Sequence, residues 1–414
     1  MRSLDDWLAR YLQVTENSEP ARLYRLWVGI AAISSVLQRK CWLPWGQSCI
    51  FPNFYITLVG PPGGRKGTAM TQAKLMLQDM NVHLASDCVT RAQLVKELSE
   101  AKSNFKDTDG QIYDHRSLSV WSEEFSVFLG EKNPDMIVTL TDLFDCPKKW
   151  KYSTKHSGKD ILHNAYLTII GATTPSILQG KLTQEAVGGG LISRIIFVVG
   201  YGPEKRIPQP WLSPEEEQIS DQLYKDLQVI RSMAGPFRFT EKALEAYSNW
   251  YMDPDSVNAI DSDQFQGYNS RRSLHLRKLC MIVSAAKSQK RVITLEHFQE
   301  ALAILSLTER EMPNAFFGLG RGQHAQTLAD MIRFFQTKES TSWAEIVDRF
   351  KLDAYPSDLQ NILGLLETSG RIRSELSQTG KFRYFLVESA RPYIEQKILN
   401  QTTFKYIIPK EEES

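Results

Sequence analysis

Gly60, Gly63 and Lys66 in LVGPPGGRKGTAM (Leu58–Met70) are spaced as in the phosphate-binding pattern G-x-x-x-x-G-K-[ST]. Two positions depart from it. Arg65 stands where the pattern has its last glycine, and Gly67 where it has a hydroxyl. In such a loop, backbone N–H groups and the dipole of the following helix bind phosphate oxygens, and the lysine reaches the outer phosphates. The residues read as contacts are Gly60, Pro61, Pro62, Gly63, Gly64, Arg65, Lys66, Gly67 and Thr68. Gly63 and Gly64 allow close backbone approach. A plain glycine-rich turn would use the same letters, so the match leaves both readings open.

Three further segments could complete the chemistry. SLSVWSEE ends in Glu123 and Glu124. Magnesium-dependent phosphoryl transfer needs one acid at a neighbouring strand end for the metal and one to orient water. Glu123 is assigned to the metal and Glu124 to the water; the first acid is usually aspartate, so Glu123 is another departure. Gly67 offers magnesium no side-chain ligand, which leaves Thr68, one position later, or a water. In IIGATTP, Thr174 before Pro175 is read as the contact to the γ-phosphate or the attacking water, with Thr173 close behind, although a Thr-Pro turn reads the same way. In GGGLISRIIFV, Arg194 precedes a core strand, where an arginine can stabilise transition-state charge on a neighbouring subunit's nucleotide. Arg272 and Arg277 in NSRRSLHLRKLCMIV are further candidate phosphate sensors.

These residues need a strand–loop–helix unit and adjacent strand ends, and the pattern supplies them. PNFYITLVG contains a core strand, Asn53–Val59, and a helix follows at about Lys66–Met80. Ahead of it lie two helices within residues 1–39, the second apolar almost all round, then a strand or hairpin. TRAQLVKELSEAK is a helix, Thr90–Lys102, capped by Thr90. KDTDGQIYDHR reads as a polar loop and Arg116–Glu124 as a short strand. MIVTLTDLFDC is helical, and core strands cover Tyr166–Gly171 and Ile195–Gly200. Residues 201–235 form a boundary or connecting helix, and 237–312 are helical with an extended piece near Val292-Ile293. GLGRGQ (Gly318–Gln323) is a linker. Beyond it come three helices, with capping boxes at Ser342/Glu345 and Ser357/Gln360, and a hairpin turning at Thr379-Gly380, the elements of a winged helix. That hairpin carries Arg371, Arg373, Lys381 and Arg383, for DNA backbone or for a partner.

The 414 residues exceed one core. Lysine plus arginine (49) and aspartate plus glutamate (48) nearly cancel, so any polyanion must be met by a local cluster. Such a cluster is PKKWKYSTKHSGKD (Pro147–Asp160), read as a hairpin turning near Ser157-Gly158. Lys148, Lys149, Lys151, Lys155 and Lys159 are interleaved with Trp150, Tyr152 and His156, with no acid before Asp160. Lysines neutralise phosphates and aromatic rings stack on bases. A solvated lysine-rich loop is the plainer alternative. Five scattered cysteines (Cys41, Cys49, Cys88, Cys146, Cys280), none in a C-x-x-C pair, argue against a zinc ribbon and fit a reducing cytoplasm. No run is long enough to span a membrane, and the N-terminus MRSLDDWLARYL lacks an apolar signal core.

The ordered set resembles the AAA+ ATPases encoded by phages, prophages and plasmids, in the helicase branch with superfamily III and MCM helicases. It comprises LYRLWVGIAAISSVLQRKCWLP, PNFYITLVGPPGGRKGTAM, WSEEFSVFL, YSTKHSGKD, LTIIGATTP and GLISRIIFV, within residues 20–310. The RKGTA variant is similar to a habit of that group. The resemblance implies an α/β P-loop ATPase core with a helical N-terminal segment, a helical lid and a C-terminal winged helix. The corresponding boundaries are 1–50 (helical collar), 51–235 (AAA+ core), 236–317 (lid), 324–390 (winged helix) and 391–414 (tail). It implies ATP and Mg2+ as cofactors and a ring, commonly a hexamer, with Arg194 as the finger acting in trans. It further implies a pore hairpin gripping single-stranded DNA through Lys148, Lys149, Lys151, Lys155, His156 and Lys159. The function implied is helicase or translocase work in mobile-element replication in the bacterial host cytoplasm, with priming left to a separate protein. The alternatives are an ATP-dependent loader or a nucleotide-binding scaffold.

Overall fold

A computed structural model of the chain describes residues 2–86, 89–106, 110–130, 133–154, 158–181, 190–316, 325–336, 338, 340–351, 353–368, 372–376 and 382–386. They fall into two compact units that divide between Ala315 and Phe316.

The first unit opens with helices Trp7–Val14 (α1) and Arg22–Leu37 (α2) and a hairpin of Cys41–Trp45 (β1) and Ser48–Ile50 (β2). Then come strand Tyr55–Val59 (β3), helices Lys66–Asp79 (α3) and Arg91–Glu100 (α4), and strands Lys102–Lys106 (β4) and Ile112–Ser122 (β5). Helices Phe125–Leu129 (α5) and Pro134–Phe144 (α6) precede a hairpin, Lys149–Thr154 (β6) and Gly158–His163 (β7). Strand Ala165–Thr173 (β8), helix Pro175–Lys181 (α7), strand Ile195–Val199 (β9) and helix Pro214–Arg231 (α8) complete the α/β part. Helices Glu241–Met252 (α9), Pro254–Val257 (α10), Gln266–Lys287 (α11) and Leu295–Glu311 (α12) follow. Val292–Ile293 is extended, as the sequence predicts, and pairs with Arg238–Phe239.

One mixed sheet organises this unit, in the order β4-β5-β8-β3-β9. β5, β8, β3 and β9 run parallel, and β4 is antiparallel to β5. β3, β8 and β9 are buried at every residue. Their runs YITLV, AYLTIIGAT and IIFVV have no polar face, which is what a parallel strand covered on both sides requires. α2 provides one cover. It is buried at 14 of its 16 residues, and its polar side chains find partners inside. Ser34 Oγ lies 2.8 Å from Thr168 Oγ1, and Ser35 Oγ accepts the Trp121 indole N–H at 3.3 Å.

The segment read as a polar loop, KDTDGQIYDHR, lies largely in strands. Lys102–Lys106 pairs with Ile112–Arg116, and the preceding helix stops at Glu100. The period-2 signal is carried by one aromatic, Phe105, which stacks on Tyr113 at 5.5 Å and approaches Trp42 at 6.3 Å. Polar neighbours mask it in composition. The sheet therefore has five strands where the sequence suggests four.

In the second unit, helices Ala325–Gln336, Trp343–Phe350 and Pro356–Thr368 pack around Met331, Phe335, Ile346, Phe350, Leu359 and Leu363. Three short strands, Thr341–Ser342, Phe382–Leu386 and Ile372–Leu376, form a sheet in that order. Ser342 and Glu345 make the capping box the sequence predicts. Ser357 does not cap. The third helix starts at Pro356, and the Tyr355 carbonyl accepts from Asp358 and Leu359. Of the hairpin's basic residues, Arg373 pairs with Glu375 at 3.3 Å and Arg383 donates to Ser340 at 2.7 Å. Arg371, Lys381, the Thr379-Gly380 turn, the linker Gly318–Gln323 and residues 391–414 lie outside the described residues.

Cys41, Cys146 and Cys280 are buried free thiols, and Cys49 is an exposed one. No described helix is long and apolar enough to cross a membrane.

α11 is buried along most of its length. Its His275 stacks on Tyr268 at 5.3 Å, and Nε2 donates to the Ser193 carbonyl at 3.1 Å. Burial is the main cause that pushes its pKa from 6.5 down to about 3. Between those values the unfolded chain binds a proton that the folded chain does not, so this residue's contribution to stability falls as pH falls. His275→Gln keeps a donor and removes the titration. Thermal midpoints measured from about pH 7 down to about pH 4 should therefore fall less steeply in the variant than in the wild type.

Candidate active site

The parallel strands deliver their ends to one edge of the sheet. Val59 lies opposite Thr173 and Val199, and Gly171 opposite Ser122. The loop after β3, the two acids after β5 and the threonines ending β8 therefore leave the sheet side by side.

A tyrosine pins the root of the loop. Tyr24 of α2 donates its hydroxyl to the Val59 carbonyl at 2.7 Å, and the same oxygen lies 3.2 Å from the Gly200 carbonyl. A Cβ on Gly200 would come within 2.6 Å of the Tyr24 ring, and one on Gly60 would overlap its hydroxyl. β3 and β9 must both be followed by glycine for this contact to form. The Gly60 N–H donates back to the Thr173 carbonyl at 3.3 Å. The sequence reading missed Tyr24; its signal was a glycine directly after each of two apolar strands.

Gly63 (φ 75°) and Arg65 (φ 58°) are both left-handed. Arg65 stands immediately before α3, where the pattern's glycine would meet no penalty; for arginine this conformation costs about 1 kcal/mol. An ion pair from Arg65 Nε to Glu19 at 2.6 Å holds it there. Lys66 Nζ donates to the carbonyls of Gly60 and Pro61, both at 2.8 Å. Burial lowers its pKa, and the charge of Glu124 opposes that shift. The amine is thus folded over the loop, within electrostatic reach of Glu124.

Glu123 meets α3 at Gly67. A Cβ on that glycine would stand 2.7 Å from Glu123 Oε2. Thr68 is exposed, and one helical step, about 100°, separates it from the position facing the acid. The helix position that faces Glu123 is therefore Gly67 and not Thr68. Glu123 and Glu124 are exposed, and no described residue makes a hydrogen bond or ion pair with the Glu123 carboxylate. Such an oxygen donor fits a hard divalent cation. Among the described residues no group of three His, Cys, Asp or Glu side chains could hold a metal by itself.

Gly171 fixes where the acids stand. A Cβ there would lie 2.6 Å from Phe125 Cδ2 and 2.8 Å from Phe125 Cβ, and Phe125 is the residue that follows Glu124. Thr174, the favoured threonine, caps α7. Its Oγ1 accepts from Ile177 N at 3.4 Å and lies 3.1 Å from Ser176 Oγ. The buried Thr173 is the one next to the loop. A cleft of about 610 Å3 opens beside the loop, lined by Glu19, Arg65, Glu204, Lys205 and Arg206 among others.

The other candidates lie at the opposite edge, where the strands begin. Arg194 precedes β9, about 20 Å along the strand from Gly200. It is 7% exposed and donates to the Gly190 carbonyl at 2.9 Å and to Asp145 at 3.3 Å. Arg271, which the sequence reading passed over, donates to Ser193 Oγ at 3.0 Å, and burial followed by the Arg194 charge lowers its pKa. Arg272 and Arg277, read as candidate phosphate sensors, are both engaged within the chain. Arg272 forms a buried ion pair with Glu309 at 2.7 Å, and Arg277 lies over the Trp45 ring at 4.4 Å. The next residue, Lys278, donates to Asn53 just before β3, which puts this part of α11 at the far edge.

The β6–β7 hairpin also rises from that far edge. Strand alternation separates its residues by face. Lys149 and Lys151 are exposed, as is Lys148 ahead of them. Trp150 and Tyr152 point the other way, stacked on each other at 5.9 Å. Trp150 donates to Asp142 at 3.2 Å, and Arg91 lies over Tyr152 at 4.9 Å. The aromatic rings expected to stack on bases are thus occupied within the chain. Lys155 and His156 lie outside the described residues, and Lys159 is described only as backbone of β7.

Comparison with protein-family models and with curated proteins returns no match.

Gly171→Ala should displace Phe125 and with it the turn bearing Glu123 and Glu124. Overpacking of this kind costs about 1–3 kcal/mol. Urea unfolding should show a lower midpoint with an unchanged slope.

Proposed function

We propose that this chain is an AAA+ P-loop ATPase of the helicase branch, working as a ring that draws single-stranded DNA through its centre in mobile-element replication. The observation that carries this reading is the shared sheet edge. There Lys66, the glycine-rich loop and Glu123 and Glu124 meet, with Thr173 between the loop strand and the acid strand.

Each residue has a task in ATP hydrolysis. The loop amides from Gly60 to Lys66 and the start of α3 bind the phosphates. Lys66 exchanges its two carbonyl partners for phosphate oxygens. Glu124, within electrostatic reach of Lys66, orients the attacking water and accepts its proton. Glu123 holds the cation. Magnesium, when bound, neutralises charge on the phosphate oxygens.

Arg194 supports assembly by its position. Standing at the opposite edge, it cannot meet its own chain's phosphates, so a catalytic task for it requires a second copy. Releasing it from Asp145 would free the guanidinium for that copy's nucleotide. The exposed Lys148, Lys149 and Lys151 support contact with a polyanion, and repetition around a ring would make a basic channel from a nearly neutral chain.

The test is ATP hydrolysis by the purified protein, with and without single-stranded DNA. Wild type should turn over ATP faster with DNA. Lys66→Ala should lose both binding and turnover. Glu124→Gln should retain binding and lose turnover by about 100-fold or more. Lys149→Ala with Lys151→Ala should weaken DNA binding and flatten its logarithmic salt dependence, by about 0.7 for each phosphate no longer neutralised. ATP binding without turnover in either DNA condition would refute the motor and favour a scaffold.

A further inference from the structure

The two departures at the cation position, Gly67 and Glu123, touch each other. A Cβ built on Gly67 would lie 2.7 Å from Glu123 Oε2, 3.2 Å from Cδ and 3.8 Å from Cγ. The carboxylate thus fills the space in which a side chain at position 67 would begin. The general pattern places a hydroxyl on the helix and an aspartate on the strand. Here the acid is longer by one methylene and the helix position has no side chain. The strand gains a methylene where the helix loses a side chain, a compensating change across one contact.

We infer that Glu123 and Gly67 are one exchanged unit: the strand carboxylate delivers to a divalent cation the oxygen that a helix hydroxyl would supply, and Gly67 is the clearance it needs. This rests on the proposed nucleotide site and names the cation donor within it. Three observations converge on it. Thr68, the other candidate hydroxyl, is exposed one helical step away. No hydrogen bond or ion pair to a described residue engages the Glu123 carboxylate. The carboxylate also reaches α3 at its second residue, Gly67, the position from which the general pattern's hydroxyl would act. Gly67 is therefore not a missing ligand position, and restoring a hydroxyl there by itself should harm cation binding.

The experiment compares wild type, Gly67→Thr, Glu123→Asp and the double variant. Affinity for a fluorescent ATP analogue is measured in magnesium and in EDTA, and Mn2+ binding to the nucleotide complex is followed by electron paramagnetic resonance. Wild type should bind the analogue more tightly with magnesium. Each single variant should lose about tenfold of that gain, the scale on which disturbance of a metal site weakens it. The double variant should regain it. Equal and independent losses, with no recovery in the double variant, would overturn the exchange.

A second arm needs no nucleotide. Alanine is a better helix former than glycine. Gly67→Ala should raise the thermal midpoint by a few degrees in the Glu123→Asp background, where there is room, and should not raise it in wild type. An equal rise in both backgrounds would overturn the contact. If wild type binds no ATP analogue in either condition, the nucleotide reading fails and the cation assignment with it; the thermal arm still decides whether the two residues are coupled.

Discussion

A parallel sheet covered on both faces has nowhere to put chemistry except its ends. β3, β8 and β9 present no polar side to solvent, because α2 and the other helices bury their residues. Their backbones are consumed by pairing, and their side chains by packing. Charged groups collect where the strands stop. Parallel direction then sorts them: residues that leave a strand gather at one edge, and residues that enter it at the other. The loop, Glu123, Glu124 and Thr173 belong to the first edge; Arg194, Lys278 and the lysine hairpin to the second.

The tyrosine pin shows how rigidly the first edge is held. A single hydroxyl reaches two strand ends, and each following residue must be glycine to admit it. α2 is therefore as much a part of the loop's support as β3 is. The strain of Arg65 in a left-handed conformation is supported in the same way from outside the loop, by Glu19 ahead of α2. A loop whose letters depart from the pattern still has its root, its turn and its helix start fixed by contacts at long sequence range. Local rules fail there and tertiary contacts compensate, as functional sites commonly arrange.

Strands, helices and the lysine hairpin were legible wherever apolar periodicity was strong. α2, β3, β8 and β9 announce themselves by runs that fit no solvated element. β4 did not, since one phenylalanine among lysine, serine and asparagine carries no clear period. The site was legible as motif positions but not as contacts. Sequence spacing put Lys66 and the two acids together. It could not show that Thr174 caps a helix, that Arg272 belongs to a buried pair with Glu309, or that Arg277 packs on Trp45. Those are decided by which partner is nearest in space, and that partner is 37 residues away for Arg272.

The hairpin shows why composition misleads about recognition. Lysine and aromatic residues alternate along Lys149–Tyr152, which reads as a mixed surface for phosphates and bases together. A strand turns successive residues to opposite faces, so it cannot offer both sets to one ligand. Once Trp150 and Tyr152 pack against Asp142 and Arg91, the lysines are left alone on the outer face. What that face can grip is charge rather than base identity. Under the proposed translocase reading, such a sequence-tolerant hold would suit stepwise release, because screened ionic contacts between exposed groups are weak individually and effective in number.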